Sequence, residues 1–368
     1  MDASFSSRPI WWHHLIITVP RVIRRRMAYL MIDGGSNDDI LSTDFLATWI
    51  PASADAITVS VRQVPNQPIR IWTDPSNNYL FEDPLLAWTW NKFHEENGSN
   101  PNVLLELPMT KAVVRAMDAT QQFLQQQHMV VPEKFILAGH SKRGWTTWTT
   151  TAVENTRVIA AIPLAMGLLN FRPNWKSHYR SLGGWSFAFA DYYARNFSRY
   201  LDKCSYDKFT QIIDPYSYFS RFANVKLFLI QSTGDEFFMP DSEDFFWDEL
   251  QSATSGGYLR YMPNTGHGLG GFHESLISFY LTIADQQILP SFKWERSLNQ
   301  THGKICATID FSAGKPKPTM VTAYHARTGD NSKRDFRQQK LDPNNGQMVP
   351  SSITWANTAV LLEVLEKH

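Results

Sequence analysis

Two cysteines, Cys204 and Cys306, in 368 residues allow one disulfide or none, and they exclude both a disulfide framework and a cysteine cluster for zinc. Charge of either sign is not in excess, since 35 Lys and Arg balance 35 Asp and Glu. A neutral balance gives no reason to expect nucleic acid or an anionic membrane as a partner. The one basic run, Arg24-Arg25-Arg26, is local and reads as a solvated loop or strand end. No apolar run is long enough to span a bilayer. The start of the chain lacks the order of a signal peptide: His13 and His14 interrupt the apolar residues, and the basic cluster follows them. There is no His-Glu-x-x-His, and His13 and His14 on a strand would point to opposite faces, so no metal site is expected. No glycine-rich phosphate loop opens a helix, which leaves no nucleotide cofactor to expect.

What is present is apolar and aromatic. Hydrophobic residues make up 43% and charged ones 19%, enough for a sizeable core in one large domain or a large domain plus a small one. Thirteen tryptophans suit a groove for an extended or sugar-like ligand, and equally a heavily packed core. Sequons begin at Asn97, Asn196 and Asn299, about as many as chance supplies at this length.

From Trp11 to about Leu289, short apolar runs alternate with longer amphipathic segments, the pattern of a mostly parallel sheet covered by helices. Strands are expected at Leu15–Val19, Ala28–Ile32, Thr58–Val61, Phe135–Ala138, Ile159–Leu164, Val225–Gln231 and Tyr258–Met262. Helices are expected at Asp83–Phe93, Thr110–Gln127, Lys142–Val153, Asp241–Gln251 and Phe272–Gln287. Gly167 to about Phe222 is rich in Trp, Phe and Tyr without strand alternation, and reads as a helical cap over the sheet's carboxyl edge. After a linker near Pro290–Lys293 the period changes to two, with runs at Lys304–Asp310, Thr319–Tyr324, Ile353–Trp355 and Ala359–Val364. The expected division is therefore 1–290 with a cap at about 167–222, then a small β-rich domain over 291–368.

The most informative stretch is Ile136-Leu137-Ala138-Gly139-His140-Ser141-Lys142-Arg143-Gly144-Trp145. An apolar strand, a tight turn with serine at its tip and a following helix make a nucleophile elbow. The usual pattern is G-x-S-x-G; here Arg143 stands where the second glycine belongs, and Gly144 follows one place later. An ordinary strand-to-helix turn capped by serine is the competing explanation.

A serine hydroxyl needs a histidine base oriented by a carboxylate. In a hydrolase on an open α/β sheet the chain order is Ser, acid, His. Val225–Gln231 runs into Ser232-Thr233-Gly234-Asp235, and Tyr258–Met262 into Pro263-Asn264-Thr265-Gly266-His267-Gly268. Asp235 and His267 thus stand just past the carboxyl ends of successive strands. Asp235 also suits a helix cap in an acidic loop, and His267 an ordinary loop histidine with His273 as its competitor. His140 reads as packed beneath the elbow. For an oxyanion hole the expected donors are the amide of Lys142 and that of Gly34 or Gly35, in the turn Asp33-Gly34-Gly35-Ser36-Asn37; a plain tight turn is the alternative. Arg143 and Trp145, on the first turn after the serine, are the substrate-binding candidates. The Lys142 and Arg143 side chains could assist the oxyanion or hold a substrate carboxylate, or Arg143 could pair with an acidic neighbour.

With these residues in hand, the chain resembles the PhoPQ-activated pathogenicity-related protein family, which includes the secreted autocrine proliferation repressor of social amoebae. The resemblance runs from about Trp11 to Arg337. It rests on Trp11-Trp12-His13-His14, Ile32-Asp33-Gly34-Gly35-Ser36-Asn37, Glu82-Asp83-Pro84-Leu85-Leu86-Ala87-Trp88-Thr89-Trp90 and the stretch from Leu107 to Asp118. Gly139-His140-Ser141-Lys142-Arg143-Gly144-Trp145, Gly234-Asp235-Glu236-Phe237-Phe238-Met239-Pro240-Asp241-Ser242, Pro263-Asn264-Thr265-Gly266-His267 and Arg334-Asp335-Phe336-Arg337 complete it. The Ser-Lys-Arg-Gly-Trp form is characteristic of that family, so the shifted glycine is a shared feature. The resemblance implies an α/β-hydrolase fold with a C-terminal β domain and carries Ser141, Asp235 and His267 over as a triad. It also implies an extracellular protein, although only ten residues precede Trp11 here. Two functions follow as expectations. One is a serine hydrolase cleaving an ester or amide of a small molecule, peptide or carbohydrate. The other is a secreted signal that keeps the hydrolase fold and acts on a cell-surface receptor.

Overall fold

The computed structural model describes residues 3–40, 54–254, 256–289, 291–299, 303–310, 318–329, 332–358 and 360. Seven strands build the central sheet: β1 (Leu15–Thr18), β2 (Arg25–Ile32), β3 (Ala56–Val61), β6 (Phe135–His140), β7 (Val158–Leu164), β8 (Lys226–Ser232) and β9 (Gly257–Met262). A two-residue pair, β4 (Ile69–Arg70) with β5 (Tyr79–Leu80), lies outside it. The order across the sheet is β1-β3-β2-β6-β7-β8-β9, with β1 antiparallel to β3 and every other neighbour parallel.

The strands run this way because both faces of the sheet are covered. Parallel strands buried on two sides read as continuous apolar runs, and Phe135-Ile136-Leu137-Ala138-Gly139 is buried throughout. Alternate side chains enter opposite cores. Leu30, Ile32 and Leu137 join the larger one, with the helices Glu82–Glu95, Glu106–Gln126 and Lys142–Val153. Tyr29, Ile136 and Ala138 join the smaller one, which the helix His273–Ala284 covers. Since β6, β8 and β9 are parallel, their carboxyl ends reach the same edge, and the loops after them meet there.

Between β7 and β8 the chain runs through the helices Phe171–Leu182, Ala190–Ala194 and Cys204–Ile213, with short 3-10 turns between and after them. The span from Asp241 to Gln251 differs from the single helix expected. A 3-10 turn covers Ser242–Phe245 and a helix covers Trp247–Ala253, with Phe246 between them in a non-helical conformation, φ −153° and ψ −10°. Phe246 is fully buried, so the packing of that ring sets the break.

Beyond the sheet the chain forms two-stranded antiparallel ribbons: β10 (Ser291–Leu298) with β11 (Gly303–Asp310), β12 (Ala323–His325) with β15 (Ala356–Thr358), and β13 (Gln339–Leu341) with β14 (Met348–Pro350). The segment expected as a linker therefore already belongs to a strand from Ser291 on. The run at Ala359–Val364 lies outside the described residues apart from Val360. Among the described residues no hydrophobic side chain beyond Tyr280 is buried, and Trp294 packs half-buried against the larger core.

Candidate active site

Ser141 sits between β6 and the helix Lys142–Val153 with φ 56° and ψ −121°. A residue with a side chain rarely holds a positive φ, and where it does the surrounding packing must over-determine it. Here the glycines do so. A Cβ on Gly139 would lie 2.4 Å from the Arg143 carbonyl oxygen, and one on Gly144 would lie 2.8 Å from that of Leu164. The Ser141 amide donates to the Leu164 carbonyl at 2.8 Å, tying the turn to β7. The shifted glycine thus has a geometric cause: position 144 faces the neighbouring strand, while position 143 points the other way. Lys142 begins the helix, so its amide is one of the four without an intrahelical acceptor.

Three side chains expected together are together. His267 Nε2 lies 2.8 Å from Ser141 Oγ, and His267 Nδ1 lies 3.0 Å from both Asp235 carboxylate oxygens. A carboxylate only accepts, so Nδ1 carries the hydrogen and Nε2 is left to accept from the Ser141 hydroxyl. Asp235 Oδ1 also accepts the amides of Phe237 and Phe238, which joins the capping role to the orienting one. The Phe237 ring stands 4.5 Å from that of His267.

Two positions that sequence reasoning left as background hold His267 in place. Glu236 Oε2 accepts the His267 amide at 2.9 Å, and its other oxygen occupies the space a Cβ on Gly266 would fill. The His140 ring donates from Nε2 to the His267 carbonyl at 2.7 Å. Burial, and then the neighbouring His267, hold His140 down at about 4, so at neutral pH it is an uncharged donor. The signal for His140 was its adjacency to Ser141; for Glu236 it was adjacency to Asp235, hidden in a generally acidic loop.

The cations beside the serine serve the protein rather than open space. Arg143 binds Glu82 through both terminal nitrogens at 2.8 and 2.6 Å and donates Nε to the Val64 carbonyl. It is 8% exposed and does not line the cavity described below, which corrects its expected substrate contact. Lys142 Nζ lies 2.8 Å from Asp83 and 3.3 Å from Glu82. Burial would raise the Glu82 carboxyl, but Arg143, Lys142 and Gln67 outweigh it and hold it at about 2. Of the two glycines expected at an oxyanion hole, Gly34 gives its amide to Asp33 Oδ1 at 2.8 Å. Its Cα is pressed so close to Arg143 that a Cβ would meet Nη2 at 2.7 Å. Gly34 is therefore occupied. Gly35, at φ 113°, holds a conformation that a side chain would oppose.

A small cavity adjoins Ser141, walled by Trp90, Trp145, Trp175, Phe189, Tyr192 and Phe237, with Asp83 and Lys142 also lining it. Trp145 lines this cavity, its indole nitrogen bonded to the Ile213 carbonyl at 2.6 Å.

The C-terminal segment reaches this site. Gln338 donates its amide to the Gly234 carbonyl at 2.7 Å. Arg337 is paired with Asp335 and donates to Ser186 Oγ, which in turn donates to the Glu236 carbonyl at 2.6 Å. Asn264 and Trp355 exchange two hydrogen bonds at 2.9 and 2.7 Å. Cys204 and Cys306 are both free and exposed. Among the described residues no group of three metal-ligating side chains occurs, and no helix is long and apolar enough to cross a membrane.

Solved structures share the sheet. The acetyl xylan esterase from Paenibacillus sp. R4 superposes with a TM-score of 0.51 at 14% identity, over 74% of this chain and 79% of that one. Acetyl xylan esterase 1 from Thermoanaerobacterium sp. gives 0.49 at 14% identity, over the same shares. At 14% identity the likeness to the first of these shows the fold, which is that of the α/β-hydrolases, and says nothing of the substrate. In sequence, autocrine proliferation repressor protein A of Dictyostelium discoideum is 36% identical over 343 residues, 91% of this chain and 68% of that protein. Residues 1–337 match the profile of the PhoPQ-activated pathogenicity-related proteins, and the chain belongs to that family.

Proposed function

We propose that this protein is a serine hydrolase that cleaves an ester or an amide of a peptide or carbohydrate, with Ser141, His267 and Asp235 as its triad. The observation that carries this reading is the hydrogen-bonded line from Ser141 Oγ through both His267 nitrogens to Asp235. Ser141 attacks the substrate carbonyl carbon while His267 Nε2 takes the hydroxyl proton. Asp235 keeps the ring in the tautomer that can accept it. The oxyanion then forming is met by the amide of Lys142 and that of Gly35, since the Gly34 amide is held by Asp33. His267 returns the proton to the leaving alcohol or amine, which departs and leaves an acyl-serine. Water, deprotonated by the same histidine, releases the acid and restores the serine.

A fluorophosphonate probe should label the wild-type protein on Ser141 and fail to label Ser141→Ala or His267→Ala. Equal labelling of wild type and Ser141→Ala would end this reading.

A second reading is supported by the amoebal relative, whose name is that of a proliferation repressor. Here the same fold acts as a signal by binding a receptor, with or without turnover. Applied to Dictyostelium discoideum cells, Ser141→Ala protein that represses growth as well as wild type would favour binding. Loss of repression together with loss of probe labelling would make the chemistry part of the signal.

A further inference from the structure

The cavity beside Ser141 has a chemistry of its own, and it narrows what the serine can acylate. Its wall is aromatic, and almost every heteroatom in it is already engaged within the protein. Trp90 Nε1 donates to Glu106, Trp145 Nε1 to the Ile213 carbonyl and Tyr192 Oη to Asp83, while Lys142 Nζ pairs with Asp83. No charge is left over to neutralise a charged ligand, and a charge placed there would lose its hydration without compensation. Among the described residues, Trp175 Nε1 alone of the buried polar atoms in this wall has no partner, and Trp175 is 2% exposed.

Part of the cavity wall is close-packed. Trp90 stands 5.4 Å from Trp145, 4.9 Å from Tyr192, 5.2 Å from Phe197 and 5.0 Å from Phe209 between ring centroids. Trp175 and Phe189 meet at 4.7 Å on the cap side. Close-packed rings of this kind do not part for a long chain. The space is small, since the centre of a water-sized sphere can move through only about 30 Å³ of it.

Resting on the serine-hydrolase reading, we propose that this cavity is an acyl pocket for a compact, uncharged aromatic group, a single ring or one of similar size, with Trp175 Nε1 offering it one hydrogen bond. The confined space suits the acyl part, because in a two-step mechanism the acyl group stays bonded to Ser141 while the leaving group must escape. His267, whose side chain keeps 19% of its surface exposed, marks the open side by which it leaves.

The test is a set of p-nitrophenyl esters with one leaving group and different acyl groups: acetate, butyrate, phenylacetate and decanoate. Fluorophosphonate labelling of Ser141 is measured on the same protein. The expected result is a kcat/KM for phenylacetate at least roughly tenfold above acetate and decanoate, in keeping with discrimination by apolar pockets. Phe189→Ala, which removes one wall, should raise decanoate relative to phenylacetate by a similar factor. If that variant does not fold, Trp175→Phe serves instead: it keeps a ring but loses the donor. It should lower kcat/KM for the 4-methoxyphenylacetate ester more than for phenylacetate itself. A labelled serine with a flat series, or one led by acetate or decanoate, overturns the acyl pocket and leaves the hydrolase reading standing. A serine that neither labels nor turns over any ester overturns both.

Discussion

The turn that carries Ser141 is held by its own chain: β6 before it, the helix Lys142–Val153 after it, and one backbone hydrogen bond to Leu164 on β7. The loop that carries His267 is held from afar. Glu236 takes its amide, His140 takes its carbonyl, Asp235 takes its ring, and the C-terminal segment grips both flanking loops through Gly234, Ser186 and Asn264. The first arrangement is steric and local, the second polar and assembled from five stretches of chain. Damage should therefore read out differently. Changes at the serine turn should cost stability, whereas changes at the histidine loop should cost turnover.

The largest effect is expected at Gly139→Ala. The new Cβ would press on the Arg143 carbonyl at 2.4 Å, backbone against backbone, with no flexible side chain to yield. Destabilisation of roughly 3 kcal/mol or more should follow, which lowers Tm by about 4 °C or more in a thermal scan or abolishes soluble protein. An unchanged Tm would mean that the turn is not held as described.

The charged cluster under the serine turn gives the next. The Glu82 carboxyl is held at about 2, below its ordinary 4.5, so its stabilisation is complete above about pH 4.5 and is lost as pH falls towards 2. A shift of that size is worth on the order of 3 kcal/mol. Glu82→Gln should lower Tm at pH 7 and flatten the fall of Tm between pH 4.5 and 2; a fall as steep as in wild type would assign the acid sensitivity elsewhere.

At the histidine loop, Glu236→Ala should reduce kcat by roughly tenfold to a hundredfold, since a base displaced by a fraction of an ångström loses its alignment. Its Tm should move by less than that of Gly139→Ala, and KM should stay close to wild type. A Tm loss with unchanged kcat would place Glu236 on the structural side of the comparison. Arg337→Ala, one step further out through Ser186, should lower kcat by about three- to tenfold; it also removes the two-point pair with Asp335, and its Tm should fall by less than that of Gly139→Ala.

Much of this was legible in the sequence because it is written locally. Apolar runs of a few residues give strands, and a small-residue turn between strand and helix gives the elbow. The order Ser, Asp, His then puts each candidate at a strand's carboxyl end, and the structure brings Ser141, Asp235 and His267 within hydrogen-bond distance. What was not legible depends on partners far apart in the chain. The sequence left Arg143 open between a substrate and an acidic neighbour, because nothing marks Glu82, sixty-one residues away, as its partner. Gly34 and Gly35 looked equivalent until Asp33 was seen to take the amide of one. The expected helix from Asp241 breaks at Phe246 because that ring is buried, and periodicity carries no information about depth.

By itself, then, the sequence determined the sheet, the elbow and the order of the three candidate residues. Each follows from local backbone preference and from the alternation of apolar and polar side chains. Only the tertiary structure decided that the Lys142 and Arg143 side chains are paired within the protein and that His140 and Glu236 hold the histidine loop. It also decided that the segment between β7 and β8 lines an aromatic cavity beside Ser141. Pairing and enclosure depend on distances between residues that the chain order does not encode.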